Sequence, residues 1–277
     1  MKKIGFIDYY LSEWHANNYP AWIKEQCTQL GLEYEIAYAW GEIEVSPRDG
    51  KTNAEWCEAN GVELCKTMEE VCEKSDVLLI LAPSDPEKHL QYAKTALRYG
   101  KRTYIDKTFT PNYAEAVEIY ALADRYGATC FSTSALRYAD ELDALKGARQ
   151  VITTGGGRSA DEYIVHQVEM IVKLLGTGAT AVKCERQGNQ CIFRVAYGEE
   201  KSATAVYASS LPFAVTAENA EGASTSKNVD SDFFRTLMAK ILHFYETGET
   251  DFAREETLAV MKIREKMLTN AGEWECI

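Results

Sequence analysis

The segment Leu81–Thr108, LAPSDPEKHLQYAKTALRYGKRTYIDKT, decides the fold of this chain. It overlaps the apolar run DVLLILA (76–82), which is typical of a strand buried on both faces of a sheet. Residues 85–99 have helical spacing, and RTYI at 102–105 fits the next strand. This strand–helix–strand unit predicts that Lys107 lies at the carboxyl edge of a parallel sheet, where ligands bind in open α/β folds.

The order of the other elements indicates two domains. Strands and helices alternate through the first half of the chain, which is the signature of a doubly wound parallel sheet. After Gly147, one strong helix at 160–175 precedes several strand candidates that have turns, and no helices, between them. We therefore predict an α/β protein, with a Rossmann-like domain at 1–145 and a C-terminal α+β domain with a mostly antiparallel sheet at 146–277.

The segment at 81–108 resembles the corresponding segment of a known family, the Gfo/Idh/MocA family of glucose–fructose oxidoreductases and inositol dehydrogenases. In that family the corresponding segment ends in Glu-Lys-Pro, and here Asp106 replaces the glutamate and Thr108 the proline. The resemblance implies that the lysine, Lys107, is catalytic. The residues at the family's spacing are His89, Gly100, Lys101 and Lys107.

A second motif lies on the predicted helix at 160–175. The sequence EYIVHQVEMIVKLLG resembles the family's Asp-x-x-x-His motif, which is followed there by an acid and by Leu-Gly, with Glu162 in place of the aspartate. The resemblance implies that His166 is the catalytic histidine. From spacing alone, the charged ridge along this helix also fits a solvated surface.

The resemblance implies a carbinol oxidation in which these side chains have separate roles. A base takes the hydroxyl proton while hydride leaves carbon, and a histidine is suited to that step. A neighbouring carboxylate can orient the ring, and a lysine can polarise the forming carbonyl oxygen. We assign these roles to His166, Glu162 and Lys107, and we expect them to serve one sugar, polyol or cyclitol substrate.

The resemblance also implies NAD or NADP as the cofactor. Family dehydrogenases carry G-x-G-x-x-G/A after the first strand, because glycines let the backbone approach the pyrophosphate. Here that turn is DYYLSE (8–13), which has no glycine and adds two carboxylates, so the chain resembles a divergent, short member. The helix after the turn is expected from about Tyr19 to Leu30. The candidate cofactor-binding residues are Asp8, Tyr10, Trp40, Ala82, Pro83 and Asp106.

Three functional hypotheses remain open. The first is an NAD(P)-dependent oxidoreductase that acts on a sugar, polyol or cyclitol. The second is a redox-neutral lyase, isomerase or glycoside-cleaving enzyme on the same scaffold, which the missing glycines favour. The third is a non-catalytic ligand-binding or regulatory protein that has lost the cofactor. The retained lysine and histidine argue against this third hypothesis.

Composition restricts the partners and the location. The formal charge of −12 and the pI near 5.0 exclude a general nucleic-acid binder, which needs a basic face. No apolar run is long enough to cross a membrane. The eight cysteines are scattered without a C-x-x-C pair, so we expect reduced thiols, no metal site and a cytoplasmic protein. The apolar stretch TAVYASSLPFAV (204–215) predicts a homo-oligomer formed through the C-terminal sheet.

Overall fold

The structure, a computed structural model, describes residues 1–198 and 200–277. No helix within these two ranges has both the length and the apolar character that crossing a membrane requires. The chain divides into two compact units, Met1–Ser132 with Arg235–Asp251 and Thr133–Phe234 with Phe252–Ile277.

The first unit contains six parallel strands, β1 (Lys2–Asp8), β2 (Tyr34–Gly41), β3 (Glu63–Leu64), β4 (Val77–Ile80), β5 (Thr103–Ile105) and β6 (Cys130–Phe131). Their order, β3-β2-β1-β4-β5-β6, is that of dinucleotide-binding doubly wound folds. The predicted Rossmann-like sheet is therefore confirmed. The helices that connect the strands are α1 (Trp14–Leu30), α2 (Asn53–Asn60), α3 (Met68–Lys74), α4 (His89–Ala96) and α5 (Tyr113–Tyr126).

The helix α1 begins at Trp14, well before the predicted start near Tyr19. The side chain of Glu13 accepts hydrogen bonds from the first amides of the helix and so acts as its N-cap. The predicted start near Tyr19 is wrong because it rests on the spacing of apolar residues, whereas the capping side chain decides where the helix begins. The helix ends at Gly31, whose φ of 66° lies in the left-handed region that favours glycine.

The second unit contains seven strands, β7 (Ala148–Gly155), β8 (Ala179–Gln187), β9 (Gln190–Tyr197), β10 (Ser202–Tyr207), β11 (Ala214–Asn219), β12 (Ser224–Asn228) and β13 (Glu275–Cys276). They form one sheet in the order β12-β11-β7-β10-β9-β8-β13, in which the β7–β10 pair is parallel and the other pairs are antiparallel. The predicted mostly antiparallel sheet is confirmed. Two helices pack on it, α6 (Ala160–Leu175) and α8 (Arg254–Thr269).

A third helix of the C-terminal half, α7 (Phe233–Thr247), belongs to the first unit from Arg235 onward. Its Phe244 ring lies 4.8 Å from the ring of Phe131, and its Tyr245 hydroxyl donates to Leu78 O at 2.7 Å. The first unit therefore consists of Met1–Ser132 and a second segment, Arg235–Asp251, which includes most of α7. This division differs from the single boundary predicted at 145–146. The reason is that an amphipathic pattern shows that a helix face is buried, without showing which sheet it covers.

Candidate functional site

Lys107 lies two residues after the end of β5, at the carboxyl edge of the parallel sheet, as the sequence predicts. Its Nζ donates to Pro83 O, in the turn after β4, at 3.1 Å. Its backbone N–H donates to the Asp106 carboxylate at 2.8 Å. The lysine is half-buried, and its ammonium therefore lies at the edge of the sheet where open α/β folds bind ligands.

Asp106 lies beneath this lysine and is 1% exposed. Its carboxylate forms an ion pair with Nδ1 of His15 and accepts from the Tyr104 hydroxyl at 3.3 Å and the Tyr19 hydroxyl at 3.4 Å. Burial by itself would raise the pKa of Asp106, but the charges of His15 and Lys107 lower that pKa below its usual value. Asp106 is therefore a buried carboxylate at neutral pH, and its charge is balanced by the groups around it.

Sequence reasoning gave His15 no role because no partner pattern surrounds it. In the structure, the Tyr19 hydroxyl lies 2.8 Å from His15 Nδ1, one helical turn away, and Asp106 lies 91 positions further along the chain. The i,i+4 spacing of His15 and Tyr19 is the one local signal that could have indicated this cluster.

His89, one of the residues at the family's spacing, is the first residue of α4. Its two ring nitrogens lie 2.9 Å from Phe109 O and 2.5 Å from Leu81 O. Burial lowers the pKa of His89, while the hydrogen bonds with the Phe109 and Leu81 carbonyls act in the opposite direction. The residue therefore joins two backbone segments below the edge of the sheet.

Asp8 ends β1 and is almost completely buried. Its Oδ1 accepts from the backbone N–H of Tyr9 at 2.7 Å and of Ala82 at 2.9 Å, while Oδ2 has no hydrogen-bond partner among the described residues. Burial raises the pKa of Asp8 well above its usual value, and the nearby charge of Glu13 adds to this effect. Ala82 has a φ of 65°, so the turn after β4 holds this non-glycine residue in the left-handed region.

Glu13 closes the turn after β1. It is 4% exposed, and its carboxylate accepts from the backbone N–H of His15 at 2.7 Å and from that of Ala16. Burial raises the pKa of Glu13, although the charge of His15 and these two amides act in the opposite direction. The amides at the start of α1 are therefore bonded to a side chain of the same turn.

The β2–α2 loop (42–52) and Asn53, the first residue of α2, hold this turn in place. Asn53 Oδ1 accepts from the backbone N–H of Leu11 at 3.1 Å, and the Ser46 hydroxyl donates to Ser12 O at 2.9 Å. The Ser12 hydroxyl in turn donates to Asp49 at 2.8 Å. Because Leu11, Ser12 and Glu13 are all buried, the turn is packed from outside as well as bonded from within.

The end of β2 carries an acid that sequence reasoning did not select. Glu42 follows the last residue of this strand, where dinucleotide-binding folds place the acid that binds ribose. Its carboxylate accepts from Lys88 Nζ at 2.6 Å and from the Tyr92 hydroxyl at 2.6 Å. Trp40, which we expected to border a cofactor, has its ring edge-on to Tyr92 at 5.8 Å. The Glu42 carboxylate is thus hydrogen-bonded to Lys88 and Tyr92, and the Trp40 ring packs against Tyr92.

The structure brings four of the six predicted cofactor-binding residues together. Asp8 is bonded to Ala82, and Pro83 and Asp106 are joined through Lys107. Of the other two, Tyr10 packs edge-on to Tyr9 at 5.9 Å, and Trp40 is the last residue but one of β2. The role of all six in binding a cofactor stays a prediction.

In the second unit, His166 lies on α6 and is 8% exposed. Its Nδ1 lies 2.6 Å from the hydroxyl of Ser134, a contact within hydrogen-bond distance. Glu169, one turn further along the helix, is also buried. The solvated-surface interpretation of this ridge is therefore wrong for both residues.

A buried ion-pair network lies beside His166. Glu169 accepts from the backbone N–H of Ser134 at 3.0 Å and from Arg137 at 3.1 Å. Arg137 also pairs with Glu256 and covers the ring of Phe252 at 4.0 Å. Burial would lower the pKa of Arg137, but the two carboxylates raise it, so the guanidinium remains charged.

Glu162, which we expected to orient His166, forms an ion pair with Arg158 at 2.5 Å. Its backbone N–H is capped by Ser159 at the start of α6. The partner that the structure gives for the His166 ring is Ser134, 32 positions earlier in the chain. Sequence reasoning missed Ser134 because no local pattern joins it to the helix, and the catalytic roles of Glu162, His166 and Lys107 stay predictions.

Residues 41–134 match the family model described as an oxidoreductase family, GFO_IDH_MocA, with an NAD-binding Rossmann fold. The predicted resemblance to the Gfo/Idh/MocA family is confirmed. The Escherichia coli protein named uncharacterized oxidoreductase YhhX is 31% identical over 91 residues, which are 33% of this chain and 26% of that protein. In each of the two curated relatives it matches, the aligned segment spans about a quarter of the relative's length (26% and 24%).

Solved structures with this fold match the chain over nearly its whole length. GenD2 from gentamicin A biosynthesis, solved in complex with NAD, has a TM-score of 0.79 at 11% identity and covers 100% of this chain and 97% of its own. A putative myo-inositol dehydrogenase from Sinorhizobium meliloti 1021 has a TM-score of 0.73 at 11% identity, covering 97% and 96%. At these identities the likeness shows the fold alone.

NAD or NADP is the cofactor that a Rossmann fold of this family implies, and its pyrophosphate belongs at the turn after β1. There, the first amides of α1 are bonded to the Glu13 carboxylate, and Asp8 contributes a second buried acid with an unpartnered oxygen. A pyrophosphate needs free amides and a site without negative charge. The residues of this turn therefore do not fit a dinucleotide held in the usual way.

Proposed function

We propose that this protein acts on a hydroxyl-bearing carbon of a small polyhydroxylated molecule, a sugar, polyol or cyclitol, by proton transfer at Lys107 and His166. The supporting observation is that both residues adjoin buried polar networks. The backbone of Lys107 is bonded to Asp106, which pairs with His15, and the ring of His166 lies beside Ser134. Buried titratable clusters of this kind concentrate at functional sites.

The chemistry assigned to each residue follows from its hydrogen-bonding capacity. The ammonium of Lys107 donates to a substrate oxygen and stabilises negative charge that develops there. His166 moves a proton to or from the substrate. The hydroxyl of Ser134 can donate to an unprotonated ring nitrogen or accept from a protonated one, so it supports His166 in both states.

Proton transfer without a bound oxidant suits a redox-neutral lyase, isomerase or glycoside-cleaving enzyme. In each of these reactions the electrons stay within the substrate, and the two side chains supply the acid and the base. The misfit between the turn after β1 and a pyrophosphate favours this version.

The test is solvent-proton exchange. We expect the wild-type protein, incubated in D₂O with a panel of sugars, polyols and cyclitols, to convert one of them or, in a sugar with a free carbonyl, to place deuterium on the carbon next to that carbonyl, as detected by NMR. A compound that binds by calorimetry and shows neither conversion nor exchange would contradict the proposal. That result, together with no reduction of added NAD or NADP, would favour the non-catalytic ligand-binding protein.

An NAD(P)-dependent oxidoreductase acting on the same class of substrate is the second candidate. The observation that favours it is the match of residues 41–134 to an oxidoreductase family with an NAD-binding Rossmann fold. The names of two solved relatives, one in complex with NAD and one a putative myo-inositol dehydrogenase, point in the same direction. Reduction of NAD or NADP by a member of the panel, followed at the absorbance of the reduced nicotinamide, would establish it.

We also propose that the protein is a cytoplasmic homo-oligomer that assembles through the sheet of the second unit. Ile152 on β7 is 48% exposed, and Val206 on β10 pairs with Ile192 on β9, with both partly exposed. A row of partly exposed apolar side chains is typical of an interface. Light scattering that gives the mass of a single chain at micromolar concentration would contradict the assembly.

A further inference from the structure

We infer that the carboxylate of Glu13 occupies the place of a dinucleotide's pyrophosphate in this fold and thereby keeps dinucleotides out of the turn after β1. The inference does not depend on Lys107 or His166 being catalytic. It concerns which ligand the first unit accepts, and it rests on the hydrogen bonds, burial and charge of one six-residue turn.

The position of Glu13 in the turn gives the first argument. The fingerprint G-x-G-x-x-G/A covers six residues, and the segment from Asp8, the last residue of β1, to Glu13, just before α1, also has six. Asp8, Tyr10 and Glu13 therefore stand at the three small positions. Those positions are small so that the backbone can approach the pyrophosphate and the helix can pack closely. Here each carries a side chain of five or more heavy atoms, or a carboxylate.

The backbone amides give the second argument, since they are the groups that bind a pyrophosphate at a helix N-terminus. The amides of His15 and Ala16 donate to Glu13, and the amide of Glu13 donates to Leu11 O at 3.0 Å. The Tyr9 amide donates to the Asp8 carboxylate, and the Leu11 amide donates to Asn53 Oδ1. A dinucleotide would have to replace bonds that the chain already makes.

The negative charge of the turn gives the third argument. The positive end of a helix favours an anion, and Glu13 supplies that anion from within the chain. A pyrophosphate would bring further negative charge next to the buried carboxylate of Glu13. Because the site is buried, this repulsion is weakly screened by solvent.

The surroundings of Glu13 give the fourth argument, because the carboxylate cannot swing away without breaking other contacts. It holds the backbone of His15, whose ring is paired with the buried Asp106. The β2–α2 loop covers the turn through Ser46 and Asp49, which are bonded to Ser12. Opening the turn would therefore disturb both the helix start and the covering loop.

Titration of the purified protein, freed of nucleotides by washing under native conditions, tests the inference. The probes are NADH, NADPH and ADP-ribose, the last of which carries the pyrophosphate without nicotinamide. We expect no saturable binding by the wild-type protein up to about 1 mM, measured by calorimetry and by nicotinamide fluorescence. Saturation by NADH, NADPH or ADP-ribose below that concentration would overturn the inference.

Two variants of the same residue separate occupancy from charge. Glu13→Ala removes the carboxylate from the two amides, and we expect it to bind ADP-ribose at least about tenfold more tightly than the wild-type protein. Glu13→Gln keeps an oxygen on those amides, so we expect it to bind as weakly as the wild-type protein. Equal gains in both variants, or no gain in a folded Glu13→Ala, would contradict the occupancy of the site by Glu13.

Controls keep the result interpretable. Glu58→Ala removes an exposed carboxylate from α2 of the same unit, and we expect it to leave ADP-ribose binding unchanged. Circular dichroism establishes that each variant is folded. Should Glu13→Ala fail to fold, Glu13→Ser takes its place with the same expected gain, because serine keeps a short N-cap for α1. Loss of proton exchange in Lys107 or His166 variants bears on the proposed function alone.

Discussion

Two turns at the carboxyl edge of the first sheet, the one after β1 and the one after β5, differ in what their side chains do. The turn after β1 is bonded inward, with Glu13 on the amides of α1 and Asp8 on the amide of Ala82. In the turn after β5, Lys107 follows Asp106. Its side chain is half-buried and donates a hydrogen bond to the backbone oxygen of Pro83.

The difference teaches that one sheet edge can lose the features that hold a dinucleotide and keep those that serve acid–base chemistry. Nucleotide binding depends on free backbone amides, which a single side chain can take up. Acid–base chemistry depends on one ammonium and on the buried carboxylate that supports it. The two properties can therefore change separately.

The largest expected effect is on the β5 side of the comparison, at Lys107. We expect Lys107→Ala to lower turnover of the substrate that shows proton exchange by about 10²–10⁴-fold, the usual contribution of a general acid or base. The free energy of unfolding should change by less than about 1 kcal/mol, because the side chain is not part of the core. NMR exchange rates and urea denaturation provide the measurements. Lys94→Ala, at an exposed lysine of α4, is the control, and full activity of Lys107→Ala would remove the lysine from the mechanism.

The next effect concerns the ion pair that joins the two turns. His15→Ala leaves the buried carboxylate of Asp106 without its partner, so we expect the free energy of unfolding to fall by about 3–5 kcal/mol. Urea denaturation at neutral pH measures the change. The control is the exposed His243 of α7, where alanine should change stability by less than about 0.5 kcal/mol. Equal stability of the two variants would mean that the pair does not stabilise the edge.

A smaller effect sharpens the comparison by testing His166 in the second unit. Ser134→Ala removes the hydroxyl beside Nδ1, and we expect turnover to fall by about tenfold, as for other groups that orient a histidine. We also expect the pH profile of turnover to shift, since Ser134 contacts the titrating ring. A variant with reduced turnover and an unchanged profile would give Ser134 a purely structural role. Ser210→Ala, at an exposed serine of the same unit, should behave as the wild-type protein.

The smallest effect is a pH dependence of stability on the β1 side. The pKa of Asp8 is raised in the folded protein by burial and by the charge of Glu13, so the folded state holds this proton at pH values where the unfolded chain has released it. Stability from this group is therefore present below the pKa of an unfolded aspartate and is lost as pH rises through the folded pKa.

Asp8→Asn keeps an oxygen for the amides of Tyr9 and Ala82 and cannot ionise. We expect its free energy of unfolding to decline less than that of the wild-type protein as pH rises from mildly acidic to neutral values. Urea denaturation across this range is the measurement. Parallel pH curves for the two proteins would mean that Asp8 does not titrate with an elevated pKa.

Much of the fold could be predicted because its signals are local. The apolar run at 76–82 and the spacing of 85–99 predicted β4 and α4, and the pattern at 160–175 gave α6 with its observed bounds. Strand and helix periods depend on neighbouring residues, so a single sequence carries them. The start of α1 was missed because a capping carboxylate, and not the apolar pattern, decides it.

The partners within the candidate sites could not be predicted in the same way. His15 and Asp106 are 91 positions apart, and Ser134 and His166 are 32 apart. No periodic pattern joins such pairs, and only the packing of their elements brings them together.

The sequence by itself determined the Rossmann-like sheet, the mostly antiparallel second sheet, the family resemblance and the place of Lys107 at the end of a strand, because each follows from residues close together in the chain. Only the tertiary structure decided that Glu13 fills the turn after β1, that His15 neutralises Asp106, and that α7 returns to the first sheet. These features depend on which distant groups share a buried volume, where an unpaired charge is costly and each polar atom must find a partner.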